Sequence, residues 1–304
     1  MSFDLHFCRQ NGSAPSILEL KDYFSELPLF QVNEVAAGGV EFWYQNDVTG
    51  VYCLFSYSPL DAAELQGCGA TGLTFNLNFQ RPSFFAYETM PLVEDFCKHF
   101  DLIVENPQDE IVQPPDASSL TSSWRRHNTW AAGAMKTVAK EDGMELHYLP
   151  EDAATAWWRY MKGQKALEEA ITEDIFVPSL MILMNPASQL FTLLLWPKGI
   201  AQFFPPADYI YLQREKKRLF GTKEETGPVR YDSVFATIGH LLVDYDFGGS
   251  QFKYLSPGKT SEVAPLIQTL QIEPVDLKQY SRMAPDSFHD VASEAGGNGD
   301  ASHA

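Results

Sequence analysis

The sequence is short of several things that would point to a familiar chemistry. Its four cysteines, Cys8, Cys53, Cys68 and Cys97, include no CxxC pair, and none stands at zinc-ligand spacing from a histidine, so no metal site is expected. No apolar run is long enough to cross a bilayer: the most apolar stretch, Leu190 to Trp196, has seven residues where about 20 are needed. The opening Met1-Ser2-Phe3-Asp4-Leu5-His6-Phe7 has an acid and no basic segment ahead of an apolar one, so it is not expected to act as a leader. Basic residues are scarce, 22 against 40 acidic ones, for a net charge of −18. So negative a surface repels phosphate backbones, which argues against direct nucleic-acid binding and for a cationic partner or simple solubility. No solenoid-period repeat is visible.

What is present is core material. Apolar residues make up 45% and aromatics 13% of 304 residues, which excludes a disordered chain. At about 150 residues per domain, the length predicts two domains.

The first, over 1–112, is predicted from periodicity. Phe3, Leu5 and Phe7 alternate with polar neighbours as a half-buried strand does, and Ser16 with Glu19 forms a capping box ahead of Ile17, Leu20, Phe24 and Leu27. Val40, Phe42 and Tyr44 alternate with Glu41 and Trp43; Asn46 to Gly50 breaks the run, and Val51 to Tyr57 returns it. Leu73 to Phe79 is a further strand. Thr89 and Pro91 are read as starting a helix whose stripe is Leu92, Val93, Phe96, Cys97 and Phe100, and Leu102 to Val104 is a last strand. Strand, helix, three strands, helix, strand predicts an α+β domain, a mainly antiparallel sheet with helices on one face, close to a ferredoxin-like arrangement.

Residues 105–117, with three prolines, read as a linker. The second α+β domain, 118–283, is predicted to have helices over 118–139, 151–171 and 234–243, strands at 180–184, 191–196, 200–204, 209–213 and 252–255, and a helix over 263–270. Pro197-Lys198-Gly199 is a turn. Residues 284–304, rich in Gly, Ser, Asp and Ala, read as a disordered tail. Charge divides unevenly across the linker: residues 1–117 hold 4 basic and 17 acidic residues, and 118–304 hold 18 and 23.

No constellation adds up to a catalytic site. Arg125, Arg126 and His127 read as a solvated helix face or a counter-charge to the acidic domain. The basic run Arg214 to Arg218 reads as an exposed strand end. The glycines of Gly67 to Gly72 precede a strand, whereas phosphate loops need a helix N-terminus after them. His6 and Cys8 share a strand face, so contact between them is possible, but both lie among apolar neighbours and read as structural. The cysteines are read as reduced, Cys97 as a core hydrophobe, and no cofactor is expected.

The opening Met1 to Phe7, the strand Gly72 to Phe79 running into Arg81-Pro82-Ser83-Phe84-Phe85, and the block Leu195-Trp196-Pro197-Lys198-Gly199 resemble a bacterial family: acidic immunity proteins, Pseudomonas-like, cognate to nuclease-type effectors of type VI secretion. The resemblance covers most of 1–280. It implies a cytoplasmic antitoxin without enzymatic activity that neutralises a basic toxin by protein–protein contact, with no direct nucleic-acid or membrane partner and homodimerisation left open.

On that reading the acidic first domain and its linker supply the contact surface. The candidates are Asp22, Glu26, Glu34, Glu41, Asp47, Asp61, Glu64, Glu105, Asp109, Glu110 and Asp116, with Trp43 and Tyr44 as aromatic anchors. Two alternatives stay open. One is an effector adaptor or chaperone; the other is an enzyme with an inter-domain site built on His6, His127, His147 or His240.

Overall fold

The structure, a computed structural model, describes residues 1–9, 14–59, 70–142, 145–218, 221–275 and 277–290. The chain is α+β, with six α-helices and 15 strands among the described residues. It forms two compact units, Met1–Tyr148 together with the segment from Asp286 onward, and Leu149–Pro285.

In the first unit the order is β1 (Ser2–Arg9), α1 (Ile17–Glu26), β2 (Phe30–Glu34), β3 (Val40–Asn46), β4 (Val51–Tyr57), β5 (Ala70–Asn78), α2 (Phe84–Phe100), β6 (Leu102–Asn106), β7 (Ile111–Gln113) and α3 (Ala117–Asp142). One seven-stranded sheet runs β2-β3-β4-β5-β1-β6-β7, with every pair antiparallel. Its centre, β4-β5-β1-β6 with α1 and α2, has the split βαβ order of a ferredoxin-like sheet. The β2–β3 hairpin lengthens one edge and β7 the other. Neither edge strand is expected from the sequence: β7 has three residues, and β2 has five, with only Phe30 and Val32 to mark its inner face.

Period-two patterning sorts the sheet into two faces. Phe3, Leu5, Phe7, Val40, Phe42, Phe55, Leu73, Phe75, Leu77 and Val104 are buried on the inner face. Both helices pack there: Phe24 of α1 stacks on Phe42 with ring centroids 4.2 Å apart, and Phe96 of α2 lies 5.4 Å from Phe24 and 5.0 Å from Phe7. The capping box at Ser16 is present, with Glu19 accepting from the Ser16 amide at 2.7 Å. α2 begins at Phe84, not at Thr89, so Pro91 is interior to the helix.

A buried carboxyl ties the hairpin turn to α2. Glu88 Oε1 accepts from Tyr44 Oη (2.7 Å), Asn46 Nδ2 (2.6 Å) and Thr49 Oγ1 (3.2 Å). Tyr44 therefore points inward and is not a surface anchor: it is one residue from Trp43, and strand neighbours face opposite sides. Burial, then the hydrogen bond to Glu88, raises the Tyr44 hydroxyl far above the ordinary tyrosine range.

Residues 105–117 are not a linker. Glu105 and Asn106 end β6, a turn leads to β7, and Asp116 caps α3 by accepting from the Ser119 amide at 2.8 Å. α3 belongs to the first unit because it packs on α2 and buries Trp124 near Phe79. Asn128, fully buried, clamps the turn after β5: its Oδ1 accepts from the Gln80 amide (2.6 Å) and its Nδ2 donates to the Arg81 carbonyl (2.8 Å). The prolines that suggested a linker stand in the β6–β7 turn and ahead of α3, where neither ladder nor helix needs their missing N–H.

The start of the expected disordered tail also belongs to the first unit. Phe288 is 1% exposed and lies against Phe84, and Asp290 accepts from the Ser83 amide (2.6 Å) and hydroxyl (3.1 Å). The segment 291–304 lies outside the described residues. Two buried contacts in a sparse segment leave no periodicity to read.

The second unit contains α4 (Glu151–Ala170), β8 (Leu180–Met184), β9 (Leu190–Pro197), β10 (Phe203–Phe204), β11 (Tyr209–Arg218), β12 (Gly221–Arg230), α5 (Tyr231–Ile238), β13 (Val243–Phe247), β14 (Ser250–Tyr254), α6 (Thr260–Leu266) and β15 (Ser281–Arg282). A five-stranded sheet runs β12-β11-β9-β8-β15, antiparallel except for the parallel pair β9–β11, and β10-β14-β13 form a separate sheet. Trp157 Nε1 donates to the Leu180 carbonyl (2.7 Å) and Tyr160 Oη to that of Pro178 (2.6 Å), seating α4 on the start of β8. The basic run ends β11, with Glu215 and Lys216 exposed as expected, but its first residue is not part of an exposed end. Arg214 is 4% exposed, donates twice to Glu225 (2.8 and 2.6 Å), and holds the carbonyls of Ile267 (2.5 Å) and Leu270 (2.8 Å) after α6.

Cys53 and Cys97 are free and buried, and burial raises both thiols. Cys8 is disulfide-bonded, which corrects the expectation of a fully reduced set. Alkylation of the denatured, unreduced protein is expected to label Cys53 and Cys97 and spare Cys8; label on Cys8 in the peptide map would contradict the bond. Removing residues 286–304 is expected to lower the urea-unfolding free energy of the first unit by about 3 kcal/mol, the scale of an emptied Phe site. An unchanged midpoint would show that Phe288 and Asp290 hold nothing.

Candidate partner-binding surface

The outer face of the seven-stranded sheet is built by the same alternation that fills the core. Cross-strand register lines up Gln31, Trp43, Leu54, Asn76 and Asp4 in one row. The adjacent row is Asn33, Glu41, Ser56, Thr74, His6, Glu105 and Val112. None of these residues is buried. The rows place Glu41, Asp4 and Glu105 on one pleated surface with a single large ring, Trp43, exposed to 36%.

Local hydrogen bonds hold this face. Trp43 Nε1 donates to Glu41 at 2.8 Å, which orients the indole across β3. Asn76 Nδ2 donates to Asp4 at 2.6 Å, and the Ser56 and Thr74 hydroxyls are 2.7 Å apart. His6 Nδ1 lies 3.7 Å from Glu105.

The structure does not bring all the sequence candidates together. Glu41, Trp43 and Glu105 share the outer face, while Asp22 and Glu26 are exposed on α1, across the sheet. Glu34, on the edge strand β2, is paired with Lys21 at 2.5 Å. Asp47 is exposed in the β3–β4 turn and Glu110 in the β6–β7 turn, where its backbone has φ +56°. Asp116 is occupied as a helix cap. Asp61 and Glu64 lie outside the described residues. Asp4 completes the outer-face group; its place two residues from His6 on a strand was the available signal.

Asp109 is the clearest departure. It is no free surface acid: it receives His127 Nε2 at 2.8 Å and the hydroxyl of Ser123, and is paired with Arg126. Arg126 and His127 thus answer an acid within their own unit. Desolvation pushes the Asp109 carboxyl up, but the hydrogen bonds from Ser123, His127 and Arg126 outweigh it and bring the pKa down to about 2.

This cluster holds a Ser, an Asp and a His in the wrong order for nucleophilic catalysis. The carboxylate sits between hydroxyl and imidazole, whereas activation needs the imidazole in the middle. Among the described residues no group of three or more His, Cys, Asp or Glu could hold a metal ion. Of the remaining histidines proposed for an enzymatic site, His147 and His240 lie in different units. Among the described residues no helix is long and apolar enough to cross a membrane.

Division at the observed boundary sharpens the charge asymmetry. The first unit contains 24 acidic and 8 basic residues, the second 16 and 14. No family model, curated protein or solved structure matches the chain.

Because the folded pKa of Asp109 lies below its ordinary value of 3.8, its contribution to stability is complete above that value and lost as pH falls toward about 2. Asp109→Asn is therefore expected to cost roughly 2 kcal/mol at pH 7 and little near pH 2. A pH-independent difference between the two unfolding curves would contradict the ion-paired assignment.

Proposed function

We propose that this chain is an immunity protein, a stoichiometric inhibitor that captures a secreted antibacterial toxin with a basic working face, most simply a nuclease. The observation that carries the reading is the placement of charge. Nearly all the net negative charge lies in the first unit, whose sheet presents an outer face of exposed and half-buried residues that carries Glu41 and Trp43 on β3, Asp4 on β1 and Glu105 on β6.

A protein that works on nucleic acid must attract phosphate, so its binding face is cationic. An acidic inhibitor meets such a face quickly by electrostatic steering and holds it through a few desolvated anchors. Trp43, oriented by Glu41, is the anchor in this reading, and charged residues at the rim set the association rate. The inhibitor needs no catalytic group of its own.

The compartment follows from the target: a nuclease must be met where nucleic acid is, in the cytoplasm. The disulfide at Cys8 weighs against that placement, since such bonds persist mainly in oxidising compartments. Thiol trapping at the moment of lysis separates the two.

Co-expression with the product of the neighbouring gene tests the function. Toxicity that this chain relieves supports neutralisation; a partner that binds and stays toxic makes the chain an adaptor instead. With a relieved partner in hand, the double change Glu41→Lys and Glu105→Lys is expected to slow association by about tenfold or more and to flatten its salt dependence. Trp43→Ala is expected to raise the dissociation rate at the scale of a hot-spot residue, about 2 kcal/mol. Association indifferent to ionic strength and to both charge reversals would remove the outer face from the proposal.

A further inference from the structure

The second unit holds a cavity of about 340 Å3 between α4 and the β13–β14 hairpin. Its walls are aromatic: Trp158, Phe247 and Phe252 line it, with the Phe252 ring set edge-on to Tyr160 at 5.8 Å. Its charged residues are of one sign. Arg159 and Lys162 face it from α4, three residues apart and so on one helical side.

Among the described residues no acidic one lines the cavity, in a chain with 40 of them. Neither cation has a carboxylate partner among the described residues, although Lys165, one turn on, pairs with Glu169 at 3.9 Å. Lys162 Nζ instead lies 5.1 Å from the centre of the Trp158 ring. Two unpaired cations beside aromatic walls form a surface complementary to a flat, negatively charged molecule: the walls take its ring and the guanidinium and ammonium take its charge.

Two glycines keep the space open. At Gly163, on the α4 wall, an added Cβ would meet nothing within 4 Å. Gly248, with φ +58°, starts the two-residue turn that Phe247 and Ser250 close, and it too borders empty space. The volume is near the lower end of ligand sites, which run from about 300 to 1,000 Å3, and so suits one or two fused rings, not a dinucleotide.

We propose that this cavity binds a small aromatic anion, a one- or two-ring carboxylate or phosphate monoester. All of its residues lie in the second unit, so the site stands independently of toxin capture.

Calorimetric titration of the full chain with naphthalene-2-carboxylate, adenosine 5′-monophosphate and the uncharged 2-naphthamide tests it. At least one anion is expected to bind about tenfold or more tightly than the amide, and which one does so separates carboxylate from phosphate. Arg159→Glu with Lys162→Glu is expected to remove that preference. Gly163→Leu, which the open helix position accommodates, is expected to abolish binding while leaving thermal unfolding unchanged or raised. Equal affinity for anion and amide, no binding of either anion, or binding that survives Gly163→Leu in a folded protein overturns the assignment.

Discussion

Phe24 of α1 stacks on Phe42 and also lies within 5.2 Å of Phe55, measured between ring centres. Through Phe96 of α2 and Phe7 of β1 the same layer joins both helices to the centre of the sheet. This aromatic layer is the constraint on which the first unit depends. Rings of this size bury large apolar areas and prefer offset or edge-on contact, so they fix the helices against the sheet in position as well as in energy. Because strand side chains alternate, committing these positions to the inner face commits Asp4, His6, Glu41, Trp43, Thr74 and Glu105 to the outer one. The proposed partner surface is thus a consequence of the core.

Polar groups inside this unit serve as locks. Glu88 gathers the β3–β4 turn, Asn128 holds the turn after β5, and Asp290 brings a distant segment back to the start of α2. A buried donor or acceptor left without its partner is costly, so each lock favours one arrangement over near alternatives. All three join segments far apart in the chain. The second unit uses Arg214 in the same way, its guanidinium holding carbonyls that follow α6.

The division of charge gives the two units different capacities. The first has an excess of acids and a pleated outer face, on which the proposed capture of a cationic macromolecule rests. The second is nearly balanced and carries a small aromatic cavity with unpaired cations, suited to an anion far smaller than a protein. Opposite preferences in one chain need no conflict, because local potential at a site follows the groups around it more than the net charge.

Much of this was legible in the residues. Alternation located β1, β3, β4 and β5 with their inner faces, the Ser16 capping box marked the start of α1, and the strand–helix order gave an α+β sheet of ferredoxin-like centre. These features are local: period, cap and turn chemistry act over a few residues. The candidate site was legible only in part. Alternation along β3 already separates Trp43 from Tyr44, but the buried Glu88 that receives Tyr44 is far along the chain, and Asp109 looked like any other acid until Arg126 and His127 closed on it. The prolines of 105–117 suggested a break where the chain builds a turn and a cap, and the edge strands β2 and β7 have too few apolar residues to signal themselves. The sequence alone determined the class of fold, the two faces of the sheet and the excess of acid, because composition and period are properties of neighbours. Which acids are free, where the units divide and where Phe288 goes were decided by tertiary structure, because each depends on a partner far along the chain that no local pattern specifies.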